Sequence, residues 1–344
     1  MRAMVLCAGF GTRLRPLTDT CPKPMVPLCG VPLLRFNFAL LKTAFVDELV
    51  VNTHHLGPAM ERGAVEQAES LGLILSISRE ERHILGTGGG LKKAAALLGD
   101  GTFFVLNGDM LFDVDLSAAL AAHRAAGAVA TMVLAPYPPG ATYGAVEVDA
   151  QDRVRRIAGR GAAPSAGEKW TKRHFTGVHL LEPEALARLP EGESDINRTA
   201  YVRLIHDGAR VLGFVQNGAW ADLGAPKSYL RSNLDVLAGR VPLARFKPAV
   251  DPWAGSSEIA PGVFAHEGVQ IDPKAKLIGP ALLHANCKIA AGAEVGPDVI
   301  LGKGVRVDED AKVVRAVCWD TTHLGRSERV EGALAAPGVR LDAT

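Results

Sequence analysis

An apolar residue recurs at every sixth position along the last quarter of this 344-residue chain. The residues in this register are Ile271, Leu277, Leu283, Ile289, Val295, Leu301, Val307 and Val313. Four positions after each of the first seven stands a small or β-branched residue: Ala275, Ala281, Cys287, Ala293, Val299, Val305 and Ala311. A six-residue period is typical of hexapeptide repeats, in which each hexad forms one side of a left-handed parallel β-helix. The number of positions in register disfavours the alternative, a set of antiparallel hairpins.

The repeat also indicates where domains begin and end. Ile259/Val263 and Ala265/Val269 extend the register backward, and it decays after Val313. We therefore predict a first domain over residues 1–238, a Pro/Gly-containing linker over 239–255, and a repeat domain over 256–344 with an irregular C-terminal tail. The tail from Trp319 is expected to cap the solenoid or to contact a partner subunit.

The first domain alternates short β-branched runs with longer helical patterns. The predicted strands are Ala3–Cys7, Glu48–Asn52, Leu73–Ser78 and Thr102–Leu106, and the predicted helices are Leu33–Ala44, Pro58–Leu71 and Gly90–Leu98. This alternation predicts an α/β fold: a Rossmann-like mixed, mostly parallel sheet with helices on both faces. Ligands bind such sheets at the carboxyl ends of the strands.

Composition excludes several classes of protein. A net charge of +1 with 48% hydrophobic residues excludes a disordered chain and a polybasic nucleic-acid binder. No apolar run reaches the ~20 residues of a membrane span, and glycines interrupt the amino terminus where a signal peptide is apolar. Five cysteines without a CxxC pair favour reduced thiols. The prediction is a cytoplasmic protein without a nucleic-acid or membrane partner.

The first strand leads into LCAGFGTRLRPL (6–17), followed by CPKPMVPL (21–28). This is not a dinucleotide fingerprint, because Leu14 stands where the third glycine is needed, and no P-loop sequence is present. The residue types nonetheless suit phosphate. Gly9 and Gly11 lack a Cβ and let their amides approach a polyanion. Arg13 offers a planar fork for phosphate oxygens, and Lys23, between two prolines, offers a mobile point charge.

With these residues in place, the sequence resembles the sugar-nucleotide pyrophosphorylases, which are NTP:sugar-1-phosphate nucleotidyltransferases. The family signature G-x-G-T-R-L-x-P-L-T…P-K-P is matched by Gly9, Gly11, Thr12, Arg13, Leu14, Pro16, Leu17, Thr18, Pro22, Lys23 and Pro24. Further segments that resemble the family are LGTGGGLKKA (85–94), VLNGDM (105–110), YGAVEVD (143–149), FTGVHLLEP (175–183) and WADLGAPKSYL (220–230). The hexad domain is similar to that of a branch typified by mannose-1-phosphate guanylyltransferases.

The resemblance implies a reaction in which a sugar 1-phosphate oxygen attacks the α-phosphorus of a nucleoside triphosphate and pyrophosphate leaves. It implies four catalytic residues: Arg13, Lys23, Asp109 and Asp222. Asp109 and Asp222 would bind Mg²⁺, which takes oxygen ligands and often only one or two carboxylates. Arg13 would hold the departing phosphates, and Lys23 the α-phosphate as charge builds there.

The resemblance also assigns binding residues. The expected nucleotide-binding residues are Leu6, Ala8, Gly9, Gly11, Thr12, Arg13, Lys23, Glu81, Gly86, Thr87, Gly88, Asn107, Gly108 and Asp109. The expected sugar-binding residues are Tyr143, Gly144, Glu147, Lys172, Thr176 and Gly177. The Glu-Lys-Pro triplet that many members use on the sugar phosphate is absent. Lys172 is our choice for that role, with Arg160, Lys169 and Arg173 as alternatives.

Base preference is inferred from two carboxylates, Glu80 and Glu81. A carboxylate only accepts hydrogen bonds, so it suits the adjacent donors of guanine better than the mixed edge of uracil. The expected partners are GTP and a sugar 1-phosphate, with mannose first. Open alternatives are a uridylyltransferase acting on glucose or N-acetylhexosamine 1-phosphate, and a non-catalytic paralogue that senses sugar nucleotides. An exposed β-helix flank also predicts a homo-oligomer.

Overall fold

The computed structural model describes residues 1–141 and 144–344. They form two compact units. One contains residues 1–10 and 37–220, and the other contains residues 11–36 and 221–344. The segment with the Gly-Thr-Arg and Pro-Lys-Pro motifs thus belongs to the same unit as the C-terminal repeats. The predicted domain boundaries at residues 238 and 255 remain predictions.

Strands and helices alternate along the first two thirds of the chain. The strands are β1 (Arg2–Leu6), β2 (Pro27–Leu28), β3 (Val31–Pro32), β4 (Glu48–Thr53), β5 (Ile74–Arg79), β6 (Phe103–Asn107), β7 (Met110–Phe112), β8 (Ala130–Pro136), β9 (Val146–Val148), β10 (Val154–Ile157), β11 (Arg160–Gly161), β12 (Thr171–Leu181), β13 (Val211–Val215) and β14 (Trp220–Asp222). The helices are α1 (Leu33–Thr43), α2 (Gly57–Ser70), α3 (Gly86–Leu98), α4 (Leu116–Ala126), α5 (Pro183–Leu186), α6 (Ala200–His206) and α7 (Pro226–Leu237). None of the helices in the described ranges is both long and apolar enough to cross a bilayer.

A ten-stranded mixed sheet organises the first unit. Its main path runs β11-β10-β9-β12-β6-β1-β4-β5, and β8 joins β12 to β13. β1 is parallel to β4 and β6, and β4 is parallel to β5. β12 is antiparallel to β6, β8 and β9. The parallel strands β1 and β6 have nearly continuous apolar sequences because both of their faces are buried. The predicted Rossmann-like sheet is confirmed, with an antiparallel section on one side.

The predicted elements of the first unit agree with the observed ones within one or two residues, except at one helix. α3 begins at Gly86, four residues before the predicted start at Gly90. The sequence GTGGG argues against a helix because glycine costs about 1 kcal/mol per position. Packing overrides this propensity: Gly88 and Gly89 donate their amides to the carbonyl of Ser194, at 2.8 and 3.4 Å.

His179 of β12 is buried in the first unit, and its Nδ1 lies 2.7 Å from the hydroxyl of Tyr201. Burial lowers the pKa of His179 to about 3. Because an unfolded histidine titrates near 6.5, the unfolded state takes up a proton that the folded state excludes between these values. Folding stability should therefore decrease as the pH falls below about 6.5.

We expect His179 to account for a loss of about 2 kcal/mol of unfolding free energy between pH 7 and pH 5. Urea denaturation at both pH values measures it. His179→Gln removes the titration and should lose about 2 kcal/mol less over this interval. His206→Gln, at a largely exposed histidine, is the matched control and should behave like wild type. An equal loss in His179→Gln and wild type would contradict the assignment.

Short strands make up the C-terminal part of the second unit. They are β15 (Ser257–Ala260), β16 (Val263–Ala265), β17 (Gln270–Ile271), β18 (Lys276–Leu277), β19 (Ala281–Leu283), β20 (Lys288–Ile289), β21 (Glu294–Val295), β22 (Val299–Leu301), β23 (Arg306–Val307), β24 (Lys312–Cys318), β25 (His323–Leu324), β26 (Arg329–Ala336) and β27 (Val339–Asp342). β16 to β26 stack in parallel columns, with β17-β20-β23-β25 forming one face. β15 pairs antiparallel with β16 and its Ile259 is 47% exposed, so the predicted extension of the register back to Ile259 is wrong. The region is therefore a β-helix, as predicted.

The stacking explains the six-residue pattern. Ile271 pairs with Ile289, and Ile289 pairs with Val307, so three hexads separate stacked residues. The apolar positions from Leu283 to Val313 point into one buried core with the intervening small residues. A side chain every sixth position thus fills the interior of the coil.

The C-terminal tail is not irregular, contrary to our expectation. β25 and β26 continue the parallel columns, and β27 closes them as an antiparallel partner of β26. Val313 pairs with Val330, a spacing of seventeen residues rather than eighteen. Because this coil of the β-helix is one residue shorter, the six-residue pattern is lost from the sequence while the strands remain stacked. The antiparallel closure also covers a strand edge that would otherwise be open.

Candidate active site

Polar side chains follow the parallel strands of the first unit at their carboxyl ends. Leu6 at the end of β1 pairs with Asn52 of β4 and with Asn107 of β6, and Asn52 pairs with Ser78 of β5. The register therefore brings Asn107 and the segment after Leu6 to one edge of the sheet. Ala8 is buried there, whereas Gly9 is exposed and has open space around its Cα.

Asn52 and Glu80 brace this edge. The Asn52 side chain accepts a hydrogen bond from the Cys7 amide at 2.8 Å and donates to Glu80 Oε1 at 2.7 Å. Glu80 Oε2 accepts from the Leu85 amide at 2.6 Å. Both residues are buried. Glu80 is therefore committed to holding the segment before α3, and Glu81, whose side chain is exposed, is the carboxylate left for a ligand.

The glycines of α3 have a packing role that the sequence did not indicate. A Cβ at Gly88 would lie 2.6 Å from Ser194 Oγ, and one at Gly89 would lie 2.2 Å from the Gly192 carbonyl oxygen. At Gly90 it would lie 2.8 Å from Glu80 Oε1. The absence of side chains at these glycines thus lets helix α3 pack closely against other parts of the same chain. Thr87, expected at the nucleotide, accepts a hydrogen bond from the Ile196 amide at 3.1 Å.

Asp109 follows β6 in the sequence Asn107-Gly108-Asp109. The Gly108 amide donates to the Leu6 carbonyl at 3.0 Å, and a Cβ at Gly108 would lie 2.9 Å from Cys7 Sγ. Burial, and then the nearby charge of Asp109, raise the pKa of the Cys7 thiol. The Cys7 thiol is therefore a neutral, buried side chain. The close approach explains why glycine precedes Asp109.

Two of the predicted sugar-site residues lie side by side on neighbouring strands. Glu147 of β9 is directly opposite Lys172 of β12 and opposite Arg156 of β10. Side chains at opposite positions share one face of a sheet. Arg156 Nε donates to Glu147 Oε2 at 3.0 Å, whereas Lys172 is exposed. Two cations thus flank one carboxylate. Arg156 was missed because only the strand register shows which of adjacent basic residues faces Glu147.

The other predicted sugar-site residues have structural constraints of their own. Thr176 is buried and its hydroxyl donates to the Val133 carbonyl at 2.8 Å. Gly177 has a φ of 96°, and a Cβ there would lie 2.9 Å from the Asn107 side chain. Gly144 packs against Ala158 in the same way. Tyr143 lies outside the described residues.

The second unit brings together three of the four predicted catalytic residues. Both terminal nitrogens of Arg13 lie 3.4 Å from Asp222 Oδ2, and Lys23 Nζ lies 3.7 Å from Asp222 Oδ1. The Gly224 amide donates to Asp222 Oδ1 at 2.7 Å. A Cβ at Gly224 would lie 2.3 Å from an Arg13 nitrogen and 2.6 Å from Asp222 Oδ1, so a larger residue here would displace the guanidinium from Asp222. Asp222 thus forms ion pairs with both cations and brings them together.

The loop that carries the two cations is itself well defined. Gly11 has a φ of 63°, and its carbonyl accepts from Thr18 Oγ1 at 2.8 Å. The chain then forms a short 3₁₀ helix that leaves Thr12 and Arg13 exposed. Lys23 is 6% exposed, whereas the Arg13 side chain is 62% exposed. The two cations therefore differ: one is a buried fixed charge, and the other reaches into solvent.

The family model for nucleotidyl transferases matches residues 2–239. The chain belongs to this family. A mannose-1-phosphate guanylyltransferase of Mycobacterium tuberculosis is 32% identical over 292 residues, which cover 84% of this chain and 77% of the relative. A UTP–glucose-1-phosphate uridylyltransferase of Synechocystis sp. is 30% identical over 317 residues, covering 85% and 81%. The resemblance to sugar-nucleotide pyrophosphorylases is thereby confirmed.

The fold of this nucleotidyl transferase is also found among solved structures. HddC from Yersinia pseudotuberculosis superimposes with a TM-score of 0.56 and covers 68% of this chain and 99% of its own, at 19% identity. At this identity the similarity concerns the fold alone.

A divalent metal ion is implied by the family, and the carboxylates of the nucleotidyl transferase fit one. No group of three or more His, Cys, Asp or Glu side chains in residues 1–141 and 144–344 is arranged to hold a metal by itself. Mg²⁺ typically uses only one or two carboxylates together with water and substrate phosphates. Each Asp222 oxygen has lone pairs beyond the donors described above. Asp109 and Asp222 each carry carboxylate oxygens of the kind this ion prefers, and their role as its ligands stays a prediction.

Proposed function

We propose that this enzyme transfers a nucleotidyl group from an NTP to a sugar 1-phosphate and releases pyrophosphate. The observation that supports this most strongly is the Arg13–Lys23–Asp222 arrangement, because a reaction between two anions needs fixed positive charge at the phosphates. Retention of Arg13, Lys23, Asp109 and Asp222 favours catalysis over a non-catalytic sensing paralogue. We further propose a cytoplasmic homo-oligomer formed through the β-helix.

The proposed roles follow from the exposure of each group. Lys23, nearly buried, is suited to the α-phosphate, where charge builds during attack and a fixed cation costs no reorganisation. Arg13, with its exposed planar fork, is suited to the departing β- and γ-phosphates. Asp109 and Asp222 are the proposed ligands of Mg²⁺, which would supply charge neutralisation at the phosphate oxygens. Lys172 and Arg156 are proposed to hold the phosphate of the sugar.

GTP and mannose 1-phosphate are the proposed substrates. The guanylyltransferase from M. tuberculosis and the exposed carboxylate of Glu81 support this pair. The uridylyltransferase from Synechocystis sp. supports the alternative of UTP with glucose 1-phosphate. Pyrophosphate release should be measured with four NTPs, each combined with mannose, glucose, heptose and N-acetylglucosamine 1-phosphates. The greatest kcat/KM is expected for GTP with mannose 1-phosphate, and no release with any pair would refute the transferase assignment.

Glu81→Gln should shift base preference. An amide presents both a donor and an acceptor, so it should lower kcat/KM for GTP relative to UTP by about tenfold, the effect of one hydrogen bond. Competition between the two nucleotides at fixed sugar 1-phosphate measures the ratio. Glu69→Gln, at another exposed glutamate, is the control. An unchanged ratio in Glu81→Gln would show that the base is recognised elsewhere.

A further inference from the structure

The chain makes a tight turn at Cys29 and Gly30, downstream of Lys23. The 3₁₀ helix Lys23–Met25 leads directly into β2, which pairs antiparallel with β3 through a two-residue turn. Both turn residues are left-handed, with φ of 48° at Cys29 and 79° at Gly30. Such a turn sets the direction of both strands and hence the position of the segment before them.

Helix α7 binds this turn through buried groups. The Cys29 amide donates to Asn233 Oδ1 at 2.8 Å, and the Cys29 thiol donates to the Asn233 carbonyl at 3.5 Å. The Tyr229 hydroxyl donates to the carbonyl of Pro27. Cys29, Tyr229 and Asn233 have no exposed surface. Asp222 lies four residues before the start of α7, so one helix is linked to both sides of the Lys23–Asp222 pair.

The β-helix contacts the same turn. His284 Nε2 lies 3.0 Å from the Cys29 carbonyl oxygen, and a Cβ at Gly30 would lie 2.2 Å from that nitrogen. Trp319 Nε1 donates to the Tyr229 hydroxyl at 3.0 Å. Burial and the neighbouring His266 ring lower the pKa of His284 to about 4, so the ring is neutral near pH 7. A neutral ring with its hydrogen on Nε2 donates to the carbonyl.

We propose that His284 and Trp319 of the β-helix are positioning residues that hold Lys23 beside Asp222 for phosphate chemistry. The link runs from Trp319 through Tyr229 to Pro27, and from His284 to Cys29, and from there along the backbone to Lys23. This proposal rests on the function proposed above. The β-helix is then part of the catalytic machinery of its own chain, in addition to any role in assembly.

The test measures kcat and KM for pyrophosphate release in the full-length chain. His284→Leu and Trp319→Phe each remove one donor and should lower kcat by about 10- to 100-fold, because misplacing a catalytic group by about 1 Å has effects of this size. The KM for the NTP should change less. His284→Gln keeps an N–H donor and should retain most of the activity. His323→Leu, at an exposed histidine of the β-helix, is the control.

A double-mutant cycle separates positioning from general stability. If the two donors act through Lys23, adding His284→Leu to Lys23→Met should cause no further loss of kcat. Additive losses would overturn the proposal.

Hydrogen–deuterium exchange tests the same link without turnover. His284→Leu should increase exchange in the peptide covering residues 22–33, and His323→Leu should not. Unchanged exchange in His284→Leu would also overturn the proposal, whether or not the wild-type enzyme turns over any substrate pair. Failure of the wild type in the substrate panel would instead refute the proposed function.

Discussion

Asp109→Asn is expected to lower the kcat of pyrophosphate release by about 10³-fold, because it removes one of the two proposed carboxylate ligands of the metal. Asparagine keeps the size and one oxygen of the side chain but has no charge. The fold should persist, since the neighbouring contacts of Gly108 with Leu6 involve the backbone. The measurement is kcat against Mg²⁺ concentration, and excess Mg²⁺ should restore part of the lost activity.

Asp100→Asn is the matched control for this variant. Asp100 is an exposed carboxylate in a turn before β6, so its replacement removes the same charge from the same unit. It should leave both kcat and the Mg²⁺ dependence unchanged. Wild-type activity in Asp109→Asn with an unchanged Mg²⁺ dependence would refute the role of Asp109 as a ligand.

Much of the fold was predictable because its strands and repeats place apolar side chains at regular intervals in the sequence. Each sixth residue from Leu283 to Val313 fills the β-helix core, so the pattern is directly visible in the sequence. Apolar runs that end in Asn52 and Asn107 likewise mark the carboxyl ends of parallel strands. The closing turn of the β-helix was not predictable, since the pairing of Val313 with Val330 depends on a turn of seventeen residues.

The proximity of candidate site residues was predictable where motifs group several of them. Asp222 lies 209 residues after Arg13 in the sequence, yet the structure places it in contact with both Arg13 and Lys23. Single residues were harder. Glu80 and Glu81 are indistinguishable as sequence letters, and only the tertiary contacts of Glu80 with Asn52 and Leu85 separate the structural carboxylate from the exposed one.

The glycines illustrate the same limit. At Gly88, Gly89 and Gly90 the space of a Cβ is occupied by other protein atoms, and the binding of a nucleotide by Gly88 stays a prediction. Sequence shows that a side chain is missing but does not show which group occupies the space. For Gly224, by contrast, the groups are the Arg13 guanidinium and the Asp222 carboxylate, two of the predicted catalytic residues.

Lys23→Met should lower kcat by about 10²- to 10³-fold while the chain remains folded. Methionine has a similar length and fills the nearly buried space without the charge. The effect should be large because a buried cation is poorly screened by water, so its attraction for the charge that develops on the α-phosphate is stronger than at the surface. Steady-state kinetics measures the loss of kcat, and thermal melting shows whether the chain remains folded.

Arg13→Met provides the internal comparison. The Arg13 side chain is 62% exposed, so solvent and salt screen its charge and an effect of about tenfold is expected, mainly on KM for the NTP. Lys274→Met, at an exposed lysine of the β-helix, should have no effect. The order of the two losses is the decisive result. If Arg13→Met reduces kcat more than Lys23→Met does, the exposed guanidinium and not the buried ammonium stabilises the transition state, and the roles proposed for the two cations must be exchanged.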